Sequence, residues 1–162
     1  ELRFGSPFSR VLHSTTTDRV ANTTTETVLF GIKIPANVLA AQDVIEGTLN
    51  ISDFDNASGS FTLKMYYGGT SMCSLAVTTG VADKRGKITF NLVVGSGGAT
   101  QEGGMFFVAA EAGSTEYIDG TVTCAASENV AIENNFTITG TFSASSQGIT
   151  SASGYAELKK HY

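Results

Sequence analysis

Four sets of residues in this chain are of types that chemistry could use: two histidines, two cysteines, a glycine-rich run and scattered carboxylates. His13 and His161 lie near opposite ends. No serine or cysteine stands at a motif spacing from either, so a nucleophile–base arrangement has no anchor. Zinc needs three or four thiolate or imidazole ligands at tight spacings. Cys73 and Cys124, far apart in the chain, and two terminal histidines do not supply them. Gly95-Ser96-Gly97-Gly98 invites a phosphate-loop reading. No Lys-Ser or Lys-Thr follows it, and Thr100 stands where a dinucleotide fingerprint requires glycine. It reads as a strand connection. Asp53-Phe54-Asp55-Asn56-Ala57-Ser58-Gly59 starts like a calcium loop. Ala57 and Lys64 then occupy the fifth and twelfth positions, where that loop needs oxygen ligands. A hairpin turn is the better reading.

What remains are carboxylates without a fixed spacing, such as Glu102, Glu111, Glu116 and Asp119, the pattern a glycosidase would use. The chain has no Trp, which lowers the glycosidase reading and weakens that of a typical carbohydrate-binding module. Tyr66, Tyr67, Tyr117 and Tyr155 could stack on a ligand, or sit at a sheet rim or subunit contact. The sequence therefore assigns no catalytic residue, no metal ligand and no cofactor, and the chain is read as a non-enzyme.

Cys73 alternates with Leu75 and Val77, and Cys124 with Val122 and Ile118. Both cysteines face inward in that reading. They could pair, but two cysteines are few for a secreted disulfide scaffold, so buried free thiols are favoured over a bridge.

These candidates would need elements to position them. The 162 residues are 41% hydrophobic and only 15% charged, with 18 Gly and 2 Pro. That suits one domain with polar Ser and Thr on exposed strand faces. A net charge of −5 and the absence of a basic stripe exclude nucleic acid as a partner. No apolar run reads as a membrane span, and no stretch reads as a secretion signal. Period-two alternation dominates, as in Phe61, Leu63, Met65 and Tyr67, in Ile88, Phe90, Leu92 and Val94, and in Val28, Phe30, Ile32 and Ile34. Turn signals, among them Gly68-Gly69, Asp83 to Gly86, Gly97-Gly98 and Gly103-Gly104, separate these runs. The pattern predicts an all-β, antiparallel two-sheet jelly-roll sandwich of about 8–10 strands. Residues 1–19 form an N-terminal arm and first strand, and 20–162 form the jelly-roll domain. The one helical candidate is Pro35 to Gln42. Met105 to Ala110 is apolar throughout and reads as a strand covered on both faces, by its own chain or a neighbouring one.

One stretch says more than composition does. Thr25-Glu26-Thr27-Val28-Leu29-Phe30-Gly31-Ile32-Lys33-Ile34-Pro35-Ala36-Asn37-Val38-Leu39 resembles the opening of jelly-roll proteins on tailed bacteriophage virions. Phe61 to Thr70, ending in Gly68-Gly69-Thr70, matches the strand and corner that follow there, as do Gly98-Ala99-Thr100 and Gly154-Tyr155-Ala156-Glu157-Leu158. The resemblance runs from about residue 20 to 160. It implies a homotrimer on the virion surface, bound to other capsid or tail proteins as a decoration or fibre-type appendage, without a cofactor. The alternative is a receptor-binding head that recognises a host surface glycan or protein. Met105, Phe106, Phe107 and Tyr155 are the candidate subunit contact.

Overall fold

The computed structural model describes residues 9–12, 15–16, 19–55, 59–77, 84–110 and 117–161. Their strands are β1 (Ser9–Leu12), β2 (Thr15–Thr16), β3 (Arg19–Ala21), β4 (Thr27–Ile34), β5 (Val44–Asp55), β6 (Phe61–Tyr67), β7 (Thr70–Val77), β8 (Lys84–Val94), β9 (Gln101–Ala110), β10 (Tyr117–Ala126), β11 (Asn134–Phe142) and β12 (Gly148–Lys159). Every pairing is antiparallel. One sheet has seven strands in the order β1-β12-β5-β8-β9-β10, with β3 also on β12. The other has five, in the order β2-β4-β11-β6-β7. The result is the expected two-sheet jelly-roll sandwich, with twelve strands among the described residues. The excess over 8–10 comes from short N-terminal strands that carry too few residues to show a period. Of the segment set apart as arm and first strand, residues 1–8 lie outside the described residues. Ser9–Leu12 pairs with β12, and Thr15–Thr16 with β4.

The alternating apolar rows meet between the sheets. Phe54, Phe61, Phe107 and Phe142 form one aromatic cluster, with ring centroids 4.6 to 6.4 Å apart. Phe30, Phe90 and Phe136 form a second, at 5.1 to 6.5 Å. All seven rings are buried. They set the sheet separation, because tilted and edge-on rings fill the space between facing strands.

Three local readings are corrected. Pro35 to Gln42 forms turns and no helix, with Asn37 at φ 59° and Gln42 at φ 67°. A single turn has too few hydrogen bonds to offset its nucleation cost. Gly103-Gly104 lies inside β9 and is not a turn. A Cβ on Gly103 would stand 2.0 Å from the Asn91 carbonyl oxygen, so glycine here serves close strand approach. Gly86 likewise lies within β8. Gly68, at φ +61°, does make the β6–β7 turn as its type suggests.

On the outer face of the smaller sheet, Glu26 accepts hydrogen bonds from Lys64 and Thr139, each 2.7 Å long. Those bonds, with one from Tyr66, hold its carboxyl down at about 2, against a smaller upward push from burial. A folded pKa below the unfolded value of 4.5 stabilises the fold at higher pH. The contribution is complete above pH 4.5 and is lost as pH falls towards 2. The melting-temperature gap between wild type and Glu26→Gln should therefore be widest near neutrality and close in acid. A gap that stays constant with pH would contradict the assignment.

Candidate functional site

The site lies on the outer face of the seven-stranded sheet, and strand register builds it. Tyr155 pairs with Thr48, Thr48 with Thr89, Thr89 with Phe106, and Phe106 with Thr121. One row thus crosses β12, β5, β8, β9 and β10. The adjacent row reads Glu157, Glu46, Asn91, Gly104 and Thr123. All of these but Thr123 line an open groove of about 430 Å³. That volume lies within the range of small-ligand sites. Through Asn91 and Gly104 it joins a second hollow bounded by Val93, Glu102 and Thr123.

Tyr155 begins the first row on β12, and Phe106 stands on β9 between Thr89 and Thr121. Tyr155 and Phe106 are 51% and 37% exposed, two of the four large apolar side chains so exposed among the described residues. Between them the floor is hydroxyl-bearing. A β-bulge places Tyr155 there. The β12 register against β5 shifts twice between Thr150 and Ser153. Ile149 and Ser151 face inward before the shift, and Gly154, Ala156 and Leu158 after it. The extra residue reverses the parity and turns Tyr155, Glu157 and Lys159 to the surface. Gly154 faces Phe30 and Leu49.

Glu46 and Glu157 sit directly opposite each other on β5 and β12. Like charges in that relation destabilise a strand pair. Lys159 answers part of it by donating to Glu46, which raises the lysine's own pKa.

The four candidate contact residues separate by face. Met105 and Phe107 are buried in the core at 1% and 0% exposure. Phe106 and Tyr155 face outward. Within this chain, β9 is covered on its inner face, and Phe106 is exposed on the outer one. Of the candidate carboxylates, Glu102 borders the second hollow, and Glu111 and Glu116 lie outside the described residues. Asp119 pairs with Val108 through its backbone. Tyr67 is buried, and Tyr66 is on the other sheet beside Glu26. Glu46 and Glu157 were not singled out by sequence reasoning. Their only signal was position in an outward-facing polar row.

The cysteines are corrected outright. Cys73 on β7 and Cys124 on β10 form a disulfide, with Cα atoms 4.7 Å apart. These strands are edges of opposite sheets that pack against each other. Alternation identified both as inward-facing, but it carries no information on which edges meet. His161 donates its backbone N–H to Asp43, and His13 lies outside the described residues.

No protein-family signature matches the chain, and no curated protein matches it. Solved structures similar to it include peanut lectin with a nine-residue peptide, at 8% identity and TM-score 0.36, covering 98% of this chain and 94% of that one. The CBM2 module of an evolved Dit from Lactobacillus casei BL23 phage J-1 is similar at 13% identity and TM-score 0.38, covering 82% and 70%. Lectin I from Ulex europaeus, in complex with the methyl glycoside of alpha-L-fucose, is similar at 6% and 0.36, covering 96% and 99%. The architecture itself rests on the pairing and register described above.

Proposed function

We propose that this domain is a non-catalytic recognition module on a virion surface, and that its groove meets a host surface glycan. The observation that carries the reading is the pair of exposed aromatics, Tyr155 and Phe106, flanking a floor of Thr48 and Thr89 with Asn91 and two carboxylates alongside. An aromatic face covers the apolar face of a sugar ring, and hydroxyl and amide groups match its polar edge. The two carboxylates beside that floor speak against this face as a subunit contact, because the cores of subunit interfaces are depleted in charged residues.

The virion setting is supported by the resemblance over residues 25–39 and 61–70. With it come a homotrimeric state and attachment to capsid or tail proteins as an appendage. The disulfide fits display outside the reducing cytosol.

A glycan array probed with the purified domain tests the reading. Saturable binding is expected, and Tyr155→Ala or Phe106→Ala should each weaken it at least tenfold without lowering the melting temperature. Release of reducing sugar from a bound glycan would replace recognition with cleavage. For the oligomer, light scattering at micromolar concentration should give three times the chain mass, and a monomer would end the trimer proposal.

A further inference from the structure

Resting on that reading, we infer that the groove takes a neutral oligosaccharide lying across the strands, and that Glu46 and Glu157 make it reject acidic sugars. The direction follows from the register. Tyr155 and Phe106 lie on β12 and β9 in a single cross-strand row, separated by β5 and β8. Three strand spacings amount to roughly 14 Å. One pyranose ring cannot cover both aromatics at that separation, whereas a short chain with a ring on each can. The intervening Thr48 and Thr89 then face the middle of the chain, where their hydroxyls can donate or accept.

The charge preference follows from what borders the row. On one flank stand Glu46 and Glu157, with Glu102 further along the sheet. Glu46 receives Lys159. The residues lining the groove include no lysine, arginine or histidine. Lys87 lies on the opposite flank, beyond Thr89 and outside the lining. An ionised carboxylate only accepts hydrogen bonds, so it suits neutral sugar hydroxyls and repels a uronic acid or phosphate. Gly104 leaves the floor beside Asn91 without a side chain. A Cβ there would meet its nearest neighbours at 3.4 Å, an ordinary contact. The position thus accepts a Cβ, and Gly104→Val adds two methyls that fill the floor, with its melting temperature reporting whether the fold tolerates them.

Calorimetric titration of the intact domain tests both parts. The probes are neutral cello-, malto- and chito-oligosaccharides from one to six rings, and oligogalacturonides as the acidic set. Affinity should climb at least tenfold between one ring and three or four, then level off. Gly104→Val should abolish it while the melting temperature holds. Glu157→Gln should raise oligogalacturonide affinity relative to the neutral chain by at least tenfold. A monosaccharide that binds as well as a trimer would overturn the cross-strand placement. Equal affinity for acidic and neutral chains, unchanged in Glu157→Gln, would overturn the charge preference. Glycan binding that survives Tyr155→Ala, Phe106→Ala and Gly104→Val would place the ligand elsewhere and defeat this inference alone. No binding to any glycan, together with a loss of assembly in light scattering for Tyr155→Ala and Phe106→Ala, would assign the face to a second copy. It would remove the parent reading as well.

Discussion

Replacing Cys73 and Cys124 together with serine should lower the unfolding free energy by about 4 kcal/mol. The cross-link spans 51 residues of chain, and closing a loop of that length removes much of the freedom of the unfolded chain. A domain of this size typically has about 5–15 kcal/mol of stability in all, so the loss is a large share of it. Cys124 is buried, and its partner is half-buried at the edge of the opposite sheet. Urea denaturation of the double variant should show an earlier midpoint. A decrease below about 1 kcal/mol would mean that the packing of β7 on β10 holds these edges without the bond. The same strand carries Thr121 into the groove, three positions before Cys124. Reduction is therefore expected to weaken glycan binding as well as the fold.

The second large effect is at Asp43, whose side chain is fully buried. Its carboxylate accepts from Lys160 at 2.6 Å, from the His161 N–H at 3.0 Å and from the Ala40 N–H at 2.8 Å. Lys160 also donates to the Val38 carbonyl. These bonds tie the C-terminal end of β12 to the loop before β5. Asp43→Ala leaves the ammonium and two amides without their acceptor, and should cost roughly 3 kcal/mol, as the breaking of other buried ion pairs does. Burial pushes the Asp43 carboxyl up, but the donors from Lys160, His161 and Ala40 outweigh it and leave the pKa below 3.8. A depressed folded pKa stabilises the fold above the unfolded value. The contribution is therefore complete above pH 3.8 and declines as pH falls below it. The difference in melting temperature between wild type and Asp43→Asn should shrink from pH 7 to pH 3. Truncation after Lys159 should reproduce most of the loss, and a fully stable truncated chain would show that the latch contributes little.

The aromatic core shows how far alternation reads. Phe61, Leu63, Met65 and Tyr67 face inward as their spacing predicts, and so do Ile88, Phe90, Leu92 and Val94. Val28 does not. A register shift in β4 leaves Leu29 and Phe30 both buried and turns Val28 out at 42% exposure. Phe54 enters the core by a similar shift after Ile51 in β5. A bulge inserts one residue and reverses every later side chain on the strand. A period-two pattern has no term for that insertion, so Val28, across the β4 shift from Phe30, is misread.

The chain's own pattern determined the all-β class, the two-sheet architecture and most of the inward rows. Each depends on residue type and local spacing, and burying one apolar face per strand leaves few other solutions. Tertiary structure alone decided which outward residues share a groove. Tyr155 and Glu157 reach Thr48 and Glu46 because β12 pairs with β5 across about a hundred residues, and because a bulge sets their face. It also decided that Cys73 and Cys124 are partners, since two edge strands of different sheets meet there. Long-range pairing depends on the summed packing of the whole sandwich, and no short stretch of sequence contains that sum.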